Sequence, residues 1–237
     1  MSKEYYLWLK NTIENNYRMI RNIKRSEDTI INVMENISNQ KRVVVKYVVG
    51  KFSAYEKLVH IEHPNLPIVY DVASDQENTI VIEEYIDGIT VGEVLETGLY
   101  TSKGVKRVVG ELCKALCVLH ENGIIHRDIK PENIVISQEG DVKLIDFDIS
   151  RIGNDMSGKD TVVLGTTGFA APEQYGIAQT DERTDIYSIG ILINVMLTGD
   201  HPSKKMCKGK WQKIVNRCTK INPDERYQSV NILMKKI

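Results

Sequence analysis

Along the first twenty residues, apolar side chains fall at Leu7, Trp8, Leu9, Ile13, Tyr17 and Ile20 among polar ones. That is close to helical spacing and predicts an amphipathic helix over 4–20. Short β-like runs follow at Asn22–Ile23, Thr29–Met34 and Val43–Val49. In the last, three successive β-branched valines suit a strand covered on both faces. A short helix is expected over 52–61, closed by His63-Pro64, and strands at Ile68–Val72 and Thr79–Ile82, with a turn or linker at Asp87-Gly88. Beyond it the period changes. Val105, Val108, Val109, Leu112, Leu116 and Leu119 repeat at helical spacing over 102–122. Two short strands, Ile134–Ser137 and Lys143–Ile145, flank a Glu139-Gly140-Asp141 turn, and helical patterns dominate from Asp185 onward. The pattern therefore predicts an α+β chain with a β-rich first third, a helix-rich remainder and a boundary near Asp87–Thr90.

Composition narrows this little. The 237 residues are 42% hydrophobic and 27% charged, with a formal net charge of -1, which gives no global attraction to nucleic acid or acidic lipid. The basic residues Lys41, Arg42, Lys46 and Lys51, and the run Lys204, Lys205, Lys208 and Lys210, read mainly as solvated surface. The four cysteines form no C-x-x-C pair, and Cys113 and Cys117 share a helix face, which suits core packing. Few cysteines and no signal peptide point to a reducing cytoplasm. No apolar run reaches the roughly 20 residues needed to span a bilayer. The chain stops inside a helical pattern, 230–237, so it also suits the soluble part of a longer, membrane-anchored protein facing the cytosol.

The densest chemistry lies in His126-Arg127-Asp128-Ile129-Lys130-Pro131-Glu132-Asn133, between a helix and a strand, with Asp146-Phe147-Asp148 after the second strand. Two neighbouring strands deliver Asp128, Asn133 and Asp146 toward one point. Hard oxygen ligands hold magnesium against phosphates, and a separate carboxylate can orient a hydroxyl and accept its proton.

This stretch resembles the catalytic loop of eukaryotic-like serine/threonine protein kinases. The resemblance spans roughly residues 20–237 and implies a bilobal protein-kinase-like fold: a single domain over 1–237, with an N-lobe over about 1–86 and a C-lobe over about 87–237. It implies Asp128 as base, Asn133 and Asp146 as metal ligands, and Lys130 as the charge that neutralises the transferring phosphoryl group. Val43-Val44-Val45-Lys46 is similar to the family's lysine-bearing strand, which places Lys46 on the α- and β-phosphates of ATP. Glu84-Tyr85-Ile86-Asp87-Gly88 resembles the hinge, with backbone at Glu84 and Ile86 bonding adenine. Gly165 to Glu173 resembles the segment that closes the activation loop, with Thr166 bonded to Asp128 and Lys130. Asp185 would bond the catalytic-loop backbone, and Arg226 would pair with Glu173. The implied cofactors are ATP and magnesium, with manganese as a substitute. The implied partner is a protein carrying Ser or Thr, not a nucleic acid, and nothing in the chain fixes an oligomeric state.

Three departures stand out. The glycine-loop positions fall on Lys24, Ser26 and Thr29, so side chains stand where backbone would approach phosphate. The acidic partner of Lys46 is expected at Glu56, in a helix shorter than the family's. Asp148 replaces the glycine after Asp146-Phe147, where a local backbone role is expected. These departures motivate a second reading, a pseudokinase acting as a nucleotide-binding or scaffold module. A third, a small-molecule kinase, fits the Gly165–Glu173 segment poorly. In the loop from Asp146 to Glu173, Thr161 is the expected autophosphorylation site, with Arg127 as the cation for its phosphate.

Overall fold

The computed structural model describes residues 3–50, 52–152, 166–176 and 179–237. The chain divides into two compact units. One comprises Met1–His63 with Pro67–Ile86, the other Pro64–Leu66 with Asp87–Ile237. The boundary at Ile86/Asp87 falls where the periodicity changes.

The first unit opens with helix α1 (Lys3–Asn16) and is built on a five-stranded antiparallel sheet. Its strands are β1 (Tyr17–Arg25), β2 (Thr29–Asn36), β3 (Arg42–Val49), β4 (Val69–Ser74) and β5 (Asn78–Glu84), in the order β1-β2-β3-β5-β4. A six-residue helix, α2 (Ser53–Leu58), lies between β3 and β4. Leu9 and Ile13 of α1 pack with Met34, Val43, Val45, Ala73, Ile80 and Ile82. Successive strand residues point to opposite faces. The register Ile31↔Lys46↔Val81 and Val33↔Val44↔Glu83 therefore sets Ile31, Val33, Val44, Lys46, Val81 and Glu83 on the face away from α1.

The helix expected over 4–20 stops at Asn16. Asn15 and Asn16 are weak helix formers, and the Asn16 carbonyl accepts the N–H of Ile37 at 2.9 Å, just past β2. Tyr17 and Ile20 thus belong to β1, an almost wholly exposed strand with two bulges. The β1–β2 hairpin closes without glycine. Ser26 N–H donates to the Thr29 carbonyl at 2.8 Å, and the Ser26 hydroxyl accepts the Thr29 N–H at 3.1 Å.

The second unit begins its secondary structure with β6 (Gly88–Thr90) and α3 (Val91–Thr97), whose start is a reciprocal cap between Thr90 and Glu93. Helix α4 (Ser102–Glu121) buries the predicted stripe, including Val105, Val108, Leu112, Leu116 and Leu119. Then come β7 (Ile124–Ile125), β8 (Ile134–Ser137), β9 (Val142–Leu144) and β10 (Arg151–Ile152), with pairings β6-β8-β9 and β10-β7. Helix α5 (Glu182–Thr198) is buried along most of its length. Gly190 lets α6 (Gly209–Cys218) approach it: a Cβ there would lie 2.5 Å from the Cys218 Cβ. Helix α7 (Val230–Met234) completes the unit. No described helix is long and apolar enough to cross a membrane.

Candidate active site

In the second unit, the segment between β7 and β8 carries Asp128, Lys130 and Asn133. A 3-10 turn over Pro131–Asn133, with Pro131 at its start, turns Asn133 back toward Asp128. Asn133 Nδ2 donates to the Asp128 carbonyl and to its Oδ2, both at 2.9 Å. Lys130 Nζ lies 2.7 Å from Asp128 Oδ2, and the Thr166 hydroxyl donates to Asp128 Oδ1 at 2.8 Å. Lys130 Nζ also donates to Thr166 Oγ at 2.8 Å. Carboxylate, ammonium, amide and hydroxyl thus form one connected set, in which a threonine hydroxyl already occupies the oxygen a general base would present.

The backbone of this loop is fixed from beneath by Asp185, the fourth residue of α5. Its carboxylate accepts the N–H groups of His126 at 3.0 Å and Arg127 at 2.8 Å, and contacts His120 Nε2 at 2.8 Å. Burial alone would push this carboxyl up, but the His120 bond and these N–H donors hold it below the usual carboxylate range. Burial pushes the His126 imidazole below its ordinary value. The ring stands edge-on to Phe147 with centroids 5.0 Å apart. Arg127 and Asp146 both have positive φ, 69° and 67°, a rare conformation for non-glycine residues that must be held by such neighbours.

Asn133 spends its Nδ2 on Asp128, so its amide oxygen is the atom that can ligate a metal. The Ile145 N–H donates to the Asn133 carbonyl at 2.9 Å, tying the two strands together just before Asp146. Among the described residues, no group of three or more His, Cys, Asp and Glu could hold a metal alone. One carboxylate and one amide oxygen fit magnesium, which is commonly bound by one or two carboxylates together with substrate phosphates. Asp148 N–H points at Asp146 Oδ1 from 3.4 Å, a long contact within the turn.

Further along, Glu173 and Arg226 form a buried two-bond pair, 2.7 and 2.8 Å, with Thr184 donating to Glu173 at 2.8 Å. Gln174 Nε2 donates to the Arg127 carbonyl at 2.8 Å, linking this segment to the Asp128 loop. The buried Cys113 thiol is pushed up to about 12 by desolvation, which leaves it unreactive. Gly165, Ser157 and Thr161 lie outside the described residues.

In the first unit, Lys46 is 3% exposed. Its Nζ donates to the Tyr55 hydroxyl at 2.6 Å and lies 3.2 Å from Glu83 Oε1. The expected pairing with Glu56 is corrected: Glu56 is exposed on α2, beside Tyr5, His60 and Asp71, and Lys46 bonds the preceding residue and a strand residue instead. Six residues of α2 give under two turns, and these bury Tyr55 and leave Glu56 outside. A sequence signal for Glu83 existed. The tandem acids Glu83-Glu84 end a strand whose preceding residues are buried on both faces, and a carboxylate there needs a cation. At the hinge, the Glu84 N–H is committed to the Ile68 carbonyl at 2.8 Å, which confines any bond from its backbone to a base to the carbonyl. Ile86 is the last residue of the first unit.

A β-sheet unit carrying a buried lysine and a helical unit carrying this aspartate-centred loop are the parts expected of a protein kinase domain. The family model for the protein kinase domain matches residues 35–236, and the chain belongs to that family, whose members use ATP and a divalent metal. It is 37% identical over 150 residues to the serine/threonine-protein kinase PknB of Mycobacterium tuberculosis (strain ATCC 25618 / H37Rv), covering 60% of this chain and 24% of that protein. It is 36% identical over 149 residues to PknB of Mycobacterium leprae (strain TN), with the same coverage. It is 40% identical over 139 residues to serine/threonine-protein kinase PknL of Mycobacterium tuberculosis (strain ATCC 25618 / H37Rv), covering 58% of this chain and 35% of that protein. The chain therefore spans about a quarter to a third of the length of these relatives.

Proposed function

We propose that this chain is an active serine/threonine protein kinase that transfers the γ-phosphoryl group of ATP to a Ser or Thr hydroxyl of a protein. The observation that carries this reading is the Thr166 hydroxyl on Asp128 Oδ1 at 2.8 Å, with Lys130 2.8 Å from the same hydroxyl oxygen. A substrate hydroxyl in that place would have its proton directed to the carboxylate and a positive charge beside its oxygen.

The protein's part in the transfer follows from these contacts. Asp128 orients the attacking hydroxyl and accepts its proton as the O–P bond forms. Lys130 offsets the charge spread over the phosphoryl oxygens, and the Asn133 bonds keep the Asp128 carboxylate from rotating. Lys46 takes the α- and β-phosphates, and backbone at Glu84 and Ile86 takes adenine. Magnesium, or manganese in its place, would be held by Asn133 and Asp146 and would supply neutralisation of the phosphate charge. Most of the rate comes from positioning and electrostatics. Lysine at 130 and the PknB and PknL relatives favour Ser and Thr over Tyr, and a cytosolic setting suits ATP and four reduced thiols.

The test is incubation of the protein with labelled ATP, magnesium and a Ser/Thr peptide panel, with Asp128→Asn as control. Label on serine or threonine that disappears in the variant supports the reading. Label that persists overturns the role of Asp128. Nucleotide binding with no transfer by the wild-type chain identifies the alternative, a nucleotide-binding scaffold. Mass spectrometry of the same samples tests Thr161 as the autophosphorylation site.

A further inference from the structure

The partner of Lys46 is written into the β3–β5 ladder. Lys46 stands opposite Val81 and Val44 opposite Glu83, so Lys46 and Glu83 occupy a diagonal on one sheet face. Diagonal neighbours are roughly 7–8 Å apart, within reach of long side chains, and here the charged ends meet at 3.2 Å. Both side chains are almost fully buried, at 3% and 6% exposure, where an ammonium or a carboxylate without its counter-charge would be costly. Helix α2 contributes a phenol, Tyr55, and no carboxylate to the lysine. It has no side-chain cap at Phe52 and its one acidic residue, Glu56, is exposed.

We infer that Glu83 is the positioning residue for Lys46: a carboxylate borne by the neighbouring strand does the work expected of one borne by a helix. Lysine and glutamate then belong to one hydrogen-bonded sheet, and the placement of α2 does not decide whether the lysine has an acidic partner. The acid at 83 fixes where the ammonium points, and Tyr55 closes its second side. The inference rests on the kinase reading for the role of Lys46, though not for the pairing itself.

The test uses the full chain and compares Glu83→Gln, Glu83→Asp, Glu56→Gln, Lys46→Met and the double variant Lys46→Met/Glu83→Gln. Misplacing a phosphate-positioning group by about 1 Å costs on the order of 100-fold, so kcat/KM for magnesium-ATP should fall by that order in Glu83→Gln, chiefly in kcat. It should fall less in Glu83→Asp, which keeps the charge, and stay at the wild-type value in Glu56→Gln. Added to Lys46→Met, the Glu83 change should cost nothing further, because a positioning residue acts through its lysine. Wild-type kcat/KM in Glu83→Gln overturns the inference, as does an equal loss in Glu56→Gln or a further loss in the double variant. Should Glu83→Gln fail to unfold cooperatively, Glu83→Asp decides: reduced kcat/KM supports the inference and a wild-type value overturns it. A second readout needs no activity. Acetylation of Lys46 by an N-hydroxysuccinimide ester, followed by mass spectrometry, should accelerate in Glu83→Gln, and an unchanged rate overturns the pairing. A wild-type chain that transfers no phosphate while Lys46 labelling accelerates would sink the kinase reading and leave the pairing standing.

Discussion

The two units hold their reactive groups by different means. In the second, Asp128 receives Lys130 and Asn133 from its own loop and Thr166 from a segment 38 positions further on, and that loop hangs on Asp185 from α5. Several weak local preferences, including a positive φ at Arg127 and another at Asp146, are overridden by this web. In the first, Lys46 is a strand residue that contacts Glu83 of the next strand and Tyr55 of one short helix. The loop site depends on many residue identities at fixed spacing. The strand site depends on sheet register, which tolerates a change in which residue supplies the charge.

The largest effect should separate the units by function. Asp128→Asn removes the proposed base and changes no residue of the first unit, so turnover should fall by about 10²–10⁴ while magnesium-ATP affinity stays near wild type. Affinity lost in step with turnover would mean that Asp128 serves nucleotide binding as much as proton transfer.

Next in size is Arg226→Met. It leaves Glu173 buried and charged without its partner, and the same guanidinium also donates to the Lys220, Ile221 and Arg183 carbonyls. Removing one member of a buried pair costs about 3–5 kcal/mol, which a fall in the urea midpoint would register. Loss of under about 1 kcal/mol, the size of an exposed ion pair, would show that this segment is less essential to the second unit than its burial implies.

These expectations also explain what could be read from residues alone. Asp128, Lys130 and Asn133 lie within five positions of one another, so order along the chain carried their geometry, whereas Asp185 and Arg226, 58 positions from Arg127 and 53 from Glu173, were placed by the family resemblance. The boundary at Asp87 was legible because the apolar period switches there. Glu83 was missed because strand pairing joins residues 37 positions apart, and register is set by pairing across the sheet rather than by spacing along the chain. The end of α1 was missed for a related reason. Apolar residues at Tyr17 and Ile20 continue a helical spacing, yet pairing with β2 captures that stretch as strand.

Acid should strike the second unit first. Burial lowers the His126 value, so the unfolded chain binds that proton before the folded one. The stability from His126 is full above its ordinary value of about 6.5 and declines as pH falls below it. Asp185 is also held low, and its contribution persists above the ordinary carboxylate value of about 3.9, then declines below it. The two tryptophans report the units separately, Trp8 on α1 and Trp211 on α6 bonded to Ser102 at 2.6 Å. In Trp8→Phe and Trp211→Phe proteins, the urea midpoint seen by Trp211 should drop between pH 7.5 and 5.5 by more than the one seen by Trp8. Equal drops would place the acid-sensitive groups in both units.

The smallest effect tests the strand site most finely. Tyr55→Phe removes only the hydroxyl that Lys46 contacts at 2.6 Å and keeps the ring in its fully buried seat. One hydrogen bond to a charged group is worth about 1.5–3 kcal/mol when an acceptor is lost outright. Here Glu83 remains to hold the ammonium, so the loss should lie near the low end for neutral bonds, about 0.5–1 kcal/mol. That corresponds to a rise of roughly two- to fivefold in KM for ATP with kcat little changed. If the sheet sets the lysine and α2 only closes its second side, Tyr55→Phe must fall well short of Glu83→Gln. A Tyr55→Phe loss as large as the Glu83→Gln loss would shift the control of Lys46 from the strand to the helix, and the contrast between a web-held and a register-held site would fail on the side of the first unit.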